Sequence, residues 1–193
     1  MSTAGHSGSI TIITGCMYAE KTTELLRMMN RHKFVGRKIL LIKPTSDTRS
    51  GIYISSHPNF EGQKMFSEAV EIKQFSEIRE ESLFLADVIG IDEGNFYEED
   101  IVDFCEKWAN EGKIVIVAGL NGTFKREHFG FLHLLYPKAE YHIHLSAICM
   151  ICKKDGAFTH RKTDEVCDFV VGGSNIYVSL CRDCFNRAQK KVV

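Results

Sequence analysis

Four of the seven cysteines in this sequence fall into two C-x-x-C pairs, Cys149-Met-Ile-Cys152 and Cys181-Arg-Asp-Cys184, with 28 residues between them. Each pair can present two thiolates to one ion, and two pairs complete a tetrahedral sulfur site. Soft ligands in closed coordination favour structural Zn²⁺, with Cys149, Cys152, Cys181 and Cys184 as its ligands. A thioredoxin-type redox centre would need only one pair. Cys16, Cys105 and Cys167 are scattered and the total is odd. With no export signal at the start of the sequence, a disulfide framework is not expected. Gly156, Gly172 and Gly173 lie between the pairs, with the aromatics Phe158, Phe169 and Tyr177. An insertion pinned at its base by a metal can serve as a lid or lasso. The plainer alternative is a zinc ribbon that packs or binds nucleic acid.

A second constellation lies near the start of the chain. Gly15-Cys16-Met17-Tyr18-Ala19-Glu20-Lys21-Thr22 follows a β-branched run and precedes a helical pattern. A phosphate-cradling loop reads G-x-x-x-x-G-K-[ST] in that context. Here the first glycine, the spacer, the lysine and the threonine are present, and Glu20 replaces the second glycine. Backbone N–H groups at the helix start would hold phosphate oxygens. Lys21 would meet the β- and γ-phosphates, and the Thr22 hydroxyl would ligate Mg²⁺. The plain alternative is a loop entering a helix with an acidic first turn.

The third constellation is Asp92-Glu93-Gly94-Asn95-Phe96-Tyr97, directly after the apolar run VIGI. Two carboxylates leave a buried strand at its carboxyl end, where a metal-binding aspartate of a phosphoryl-transfer site belongs. Neighbouring strand residues point to opposite sides, so the two can divide their roles. Asp92 can reach the metal, and Glu93 can face the acceptor as general base. A solvated acidic turn is the alternative for this segment alone. Together with the loop, it fits one phosphoryl-transfer site.

The elements that must position these groups are legible as alternating patterns. A strand is predicted over 9–14 and a helix over 21–34, where Leu25, Leu26, Met28, Met29 and Phe34 recur at helical spacing until Gly36. Continuous apolar runs over 38–44, 88–91 and 113–118 predict strands buried on both faces. An amphipathic helix is predicted over 98–110, stopped by Asn110-Glu111-Gly112. Strands alternating with helices imply a mostly parallel α/β sheet whose strand ends form the ligand edge. From about Ile143 the pattern changes. The expected division is a loose leader over 1–8, a nucleotide-binding α/β domain over 9–145 and a small metal-binding domain over 146–193.

Bulk properties narrow the class further. Hydrophobic residues make up 44% and charged residues 25%, as in ordinary globular proteins. A net charge of -1 offers no electrostatic case for a polyanionic partner such as DNA. No apolar run approaches a membrane span. The polar start has no apolar core of a secretory signal, so a cytoplasmic protein without a membrane partner is expected.

Taken together, the segments GCMYAEKTTEL, DEGNFY, AGLNGTF and AICMIC…GGSNIYVSLCRDC resemble the type II thymidine kinases over about residues 9–185. KPTSDTRS, with Asp47-Thr48-Arg49, resembles that family's D-T-R element. The resemblance implies a P-loop, RecA-like, mostly parallel sheet flanked by helices, with a small C-terminal zinc-ribbon or lasso domain. It implies transfer of the γ-phosphate of ATP to the 5′-hydroxyl of thymidine or deoxyuridine, with Mg²⁺ and a structural Zn²⁺. On this resemblance Gly15, Cys16, Met17, Tyr18, Ala19, Glu20, Lys21, Thr22, Asp92 and Asn95 serve ATP and its metal. Thr22 and Asp92 would hold Mg²⁺, and Glu93 and Arg49 would be catalytic. Met17, Phe96, Leu120, Phe124, Phe129, Ser146, Val170, Gly172, Gly173 and Tyr177 would meet the nucleoside, with Ser146 beside the thymine methyl. It further implies a homotetramer and feedback inhibition by dTTP.

Four positions depart from the family pattern. Glu20 stands for the loop glycine, Cys16 for the usual proline, Asn95 for glutamine and Asn121 for the common aspartate. Two other readings therefore accompany the first. One is a homologue that binds nucleotide or dTTP with little turnover. The other is a zinc-ribbon nucleic-acid-binding protein, which would show salt-dependent DNA binding.

Overall fold

The computed structural model describes residues 8–45, 69–163 and 172–190. The chain begins with strand β1 (Ser9–Gly15), whose β-branched residues suit a pleated, buried surface, and enters helix α1 (Lys21–Phe34). Strands β2 (Ile39–Pro44) and β3 (Val70–Ile72) follow, then helix α2 (Glu80–Leu85), strand β4 (Val88–Ile91), helix α3 (Asp100–Asn110) and strand β5 (Ile114–Leu120). Strand β6 (Tyr141–Leu145) completes a six-stranded sheet in the order β3-β2-β4-β5-β1-β6. Every pairing in it is parallel.

Alternation along these strands divides the core into two layers. Ile10, Ile12, Ile42, Ile89, Ile91, Val115 and Val117 face α3, whose Phe104 and Trp108 form an aromatic cluster with Phe75 from the turn after β3. Ile13, Leu41, Val88, Ile116 and Ala118 face Leu25, Leu26 and Met29 of α1. Burying each such side chain stabilises by about 1.5–3 kcal/mol. Gly90 lets α1 approach the sheet, because a Cβ there would overlap Met29 Sδ. Lys43 is buried in the sheet and forms an ion pair with Glu71 on neighbouring β3, at 2.9 Å.

Both main helices stop as their glycines predict. Gly36 has φ +81°, with Gly36 N–H bonded to Lys33 O and Arg37 N–H to His32 O. Gly112 has φ +87°, with Gly112 N–H bonded to Ala109 O and Lys113 N–H to Trp108 O. These are paired bonds of a left-handed helix end, which an L side chain adopts only with strain. The expected strands and helices lie within a residue or two of their predicted bounds. Two sheet strands carried no legible signal. β3 has three residues, and β6 (YHIHL) is a largely exposed edge without an apolar run.

Beyond β6 the chain forms two small antiparallel pairs. Strand β7 (Ala147–Ile148) pairs with β8 (Asp155–Gly156), and β9 (Phe158–Arg161) with β10 (Tyr177–Leu180). Helix α4 (Arg182–Gln189) follows, and Phe185 buries its ring beneath β9 and β10. All the elements of this lobe lie around the four cysteines.

Candidate active site

The phosphate-loop sequence bridges the end of β1 and the start of α1, at the carboxyl edge of the parallel sheet. Its backbone takes left-handed conformations at two non-glycine residues, Tyr18 (φ 68°) and Glu20 (φ 60°, ψ 31°). Left-handed residues with a Cβ cluster where surrounding structure imposes the shape. The position of the missing second glycine is thus one that glycine would favour. The Glu20 carboxylate accepts a hydrogen bond from Thr23 Oγ1 at 2.5 Å on the exposed side of the turn. Lys21 Nζ donates to Cys16 O at 2.9 Å, folding the ammonium over the loop.

The acidic strand end meets this loop directly. Thr22 Oγ1 lies 3.1 and 3.0 Å from the two carboxylate oxygens of Asp92. Glu93 N–H donates to Asp92 Oδ1 at 3.0 Å, and Glu93 itself is left-handed, at φ 48° and ψ 42°. Burial first, and then the Glu93 carboxylate, push the Asp92 carboxyl up to about 7. The Thr22 hydroxyl, the Glu93 N–H and the Lys21 ammonium pull it the other way. A hydroxyl and a buried carboxylate converging beside an ammonium are a suitable donor set for a hard divalent cation.

The residues after Glu93 connect the strand end to the far wall. Gly94 to Phe96 form a 3-10 turn, and Asn95 is buried, accepting a hydrogen bond from Leu120 N–H at 2.9 Å. Phe96 and Phe129 meet edge to face with ring centroids 5.4 Å apart. Phe124 carries the Arg161 guanidinium 3.8 Å above its ring, and Arg161 Nη2 donates to Tyr177 Oη at 3.3 Å. Asn121 N–H closes the corner by bonding Gly15 O at 3.2 Å. Phe96, Leu120, Phe124, Phe129 and Tyr177 are therefore linked to the phosphate loop through a few contacts. Gly173 starts the turn into β10, its carbonyl accepting from Ile176 and Tyr177 N–H, and Gly172 packs on Ile176. Ser146 stands exposed in the link between β6 and β7. Arg49 and Val170 lie outside the described residues.

Three residues of the site were given no site role from sequence. Thr159 accepts a hydrogen bond from Met17 N–H at 3.0 Å. Gly156 O accepts from the Cys16 thiol at 3.1 Å, and burial pushes that thiol up, keeping it a neutral donor. Arg161 is the third. The available signal was the alternation in Phe158–Arg161, which puts Thr159 and Arg161 on one side of β9.

The four cysteines converge. Their sulfur atoms all lie within 4.8 Å of one another, and Cys152 Sγ is 3.5 Å from Cys181 Sγ. A tetrahedral ion with Zn–S of about 2.3 Å spaces its sulfurs ~3.8 Å apart, so the cage fits such an ion. One pair spans the turn from β7 to β8, where Lys153 is left-handed (φ 64°) and its N–H bonds Cys149 O. The other opens α4, with Cys181 at its N-cap. Burial opposes the Cys149 thiolate, but N–H groups of Cys152, Cys181 and Ile151 outweigh it and bring the thiol down to about 6. Burial and the three neighbouring thiols push Cys184 up to about 12. Four thiols crowded without positive charge cannot all ionise together, and a bound cation would remove that conflict.

A parallel α/β sheet, a phosphate loop joined to an acidic strand end, and four cysteines positioned to hold a metal define a P-loop protein of the nucleoside-kinase kind. The thymidine kinase family model matches residues 8–185. A thymidine kinase of Yaba monkey tumor virus is 42% identical over 180 residues, covering 93% of this chain and 96% of that protein. A thymidine kinase of vaccinia virus (strain Ankara) is 41% identical, covering 93% and 98%. Thymidine kinase 1 of Dictyostelium discoideum is 40% identical over 185 residues, covering 96% and 81%. The chain belongs to the thymidine kinase family. Among the described residues, no helix is long and apolar enough to cross a membrane.

Proposed function

We propose that this protein transfers the γ-phosphate of ATP to the 5′-hydroxyl of thymidine, and of deoxyuridine, giving the nucleoside monophosphate and ADP. The observation that carries the reading is the contact of Thr22 Oγ1 with both oxygens of Asp92, beside Glu93. It joins the phosphate loop to the acidic strand end in a single site. Residues 9–145 form the catalytic part and 146–193 the lasso in this reading.

In the reaction, backbone N–H groups of the loop and the start of α1 hold the phosphates. The Lys21 ammonium is within reach of them once it turns from Cys16 O. Mg²⁺, held by Thr22 and Asp92, would supply positive charge to the β- and γ-phosphate oxygens. Glu93 takes the proton of the 5′-hydroxyl as the new P–O bond forms and the bond to the β-phosphate oxygen breaks. Arg49 adds charge on the phosphate side. The base lies among Met17, Phe96, Leu120, Phe124, Phe129 and Tyr177, apolar walls with few polar groups, as suits a pyrimidine. Backbone groups around Val170, Gly172 and Gly173 read its edge, with Ser146 toward the 5-substituent.

The ion of the four-cysteine cage is Zn²⁺ in a structural role, on the grounds of its all-thiolate donor set. The protein works as a cytoplasmic homotetramer. dTTP inhibits it by placing its base in the nucleoside pocket and its phosphates in the loop. The test is transfer of labelled phosphate from ATP to a panel of nucleosides. Thymidine and deoxyuridine should be labelled and deoxyguanosine refused. Labelling of purine nucleosides as efficiently as thymidine, or of none, would refute the reading.

A further inference from the structure

Three consecutive residues of the phosphate loop are tied to three successive strands of the four-cysteine lobe. The Cys16 thiol donates to Gly156 O on β8 at 3.1 Å. Met17 N–H donates to Thr159 Oγ1 on β9 at 3.0 Å. The Tyr18 hydroxyl donates to Tyr177 O on β10 at 3.2 Å. The seam also has an apolar contact, where Cys16 and Ala19 pack on Ala147 at the start of β7. Just beyond the loop's opposite wall, Asn121 Nδ2 donates to Ala157 O at 3.4 Å.

These bonds fall where the loop most needs them. Its first residue is held by β1 and its last by α1, but the stretch between contains the left-handed Tyr18 and Glu20. Such a backbone persists only when its surroundings over-determine it. The sheet cannot do that, because the loop has already left the strand. The lobe does, accepting through two backbone carbonyls, Gly156 O and Tyr177 O, and one side chain, Thr159 Oγ1. Thr159 is 5% exposed, and its Oγ1 accepts the Met17 N–H of the loop across this seam. The same strand β9 presents Arg161 two residues on, against Phe124 and Tyr177. One strand thus braces the phosphate loop and the aromatic wall together.

We propose that the four-cysteine lobe is the template that shapes the phosphate loop, and that Thr159 is a positioning residue for ATP through its bond to Met17 N–H. The proposal rests on the reading of Gly15–Thr22 as the ATP phosphate loop. It gives the lobe a second task besides covering the nucleoside, and it places an ATP-affinity determinant outside the loop sequence.

The test is titration calorimetry of a non-hydrolysable ATP analogue with Mg²⁺, without nucleoside, on the full chain. Thr159→Val keeps the shape and removes the acceptor, while Thr159→Ser restores it. Valine should weaken binding about fivefold, the worth of one ordinary hydrogen bond, and serine should recover most of the loss. Lys21→Ala is the control for the underlying reading. Loss of binding in Lys21→Ala with wild-type affinity in Thr159→Val overturns the proposal and leaves the ATP reading standing. Unchanged binding in Lys21→Ala overturns both. Equal weakening in valine and serine variants overturns the hydrogen-bond role. If Thr159→Val does not fold, Cys16→Ala carries the test from the loop side. A two- to threefold weakening, about the worth of a weak thiol bond, supports the template, and unchanged affinity overturns it.

Discussion

Replacing Glu20 separates two effects that the sequence alone confounds. The residue is left-handed at φ 60° and ψ 31°, and its carboxylate is held by Thr23 Oγ1 on the exposed side. A left-handed residue with a Cβ is disfavoured by roughly 1–2 kcal/mol. Glycine relieves that strain but returns about 0.5–1 kcal/mol through its greater freedom in the unfolded chain. Losing the exposed Thr23 bond costs about another few tenths of a kcal/mol. The net gain for Glu20→Gly is about 0.5 kcal/mol, or ~1–2 °C in Tm for a chain of this size. With the same left-handed backbone in the free and bound states, this term largely cancels from ATP affinity. The charge does not cancel. At a separation of about 8 Å in water-like surroundings, two unit charges repel by ~0.5 kcal/mol. Against the roughly two net negative charges of Mg-ATP this is ~1 kcal/mol, or about fivefold in affinity. Glu20→Gln removes the charge and keeps the Cβ, so it should gain the affinity without the stability. Glu20→Gly should gain both. The assays are calorimetric ATP affinity at low and high salt, and thermal melting of the three proteins. If the glutamine variant binds ATP like wild type while glycine binds more tightly, strain and not charge governs affinity, and the reasoning fails.

Elemental analysis should find one zinc per chain, and Cys181→Ser should lower both the zinc content and the melting temperature; a purified protein without zinc would remove the metal cage. Glu93→Gln should lower kcat by about 10²–10⁴-fold while thymidine binding by calorimetry stays within about threefold of wild type, and near-normal kcat would take Glu93 out of the base role. Gly90→Ala forces a Cβ against Met29 and should lower stability by about 1–3 kcal/mol in urea unfolding. An unchanged unfolding midpoint would contradict the close packing of α1 on β4.

The strands that were legible are those buried on both faces. VIGI and the run from Ile114 read directly as central parallel strands because every position is apolar. The helix ends were legible for a local reason too, since Gly36 and Gly112 sit where the backbone turns left-handed. β6 was not, because an edge strand with one exposed side needs no apolar run, and its YHIHL sequence could equally have belonged to a loop. The small domain was accordingly expected to begin near the point where the last sheet strand in fact ends.

The sequence by itself determined the chemistry available: four thiols in two pairs, a lysine and threonine after a glycine loop, and two carboxylates at a strand end. These are local patterns, and their residue types and spacings are covalent facts. It also carried the family resemblance, which the family match over residues 8–185 bears out. Only the tertiary structure decided how those patterns meet. Thr22 reaches Asp92 across 70 positions of chain because α1 packs on the face of the sheet over β4. Met17 N–H reaches Thr159 across 142 because the cysteine lobe folds back on the loop. Such contacts depend on strand order and crossover direction, which no single segment encodes. Neither Thr159 nor Arg161 carries a motif, and each acquires its role only from the neighbours that the fold brings to it.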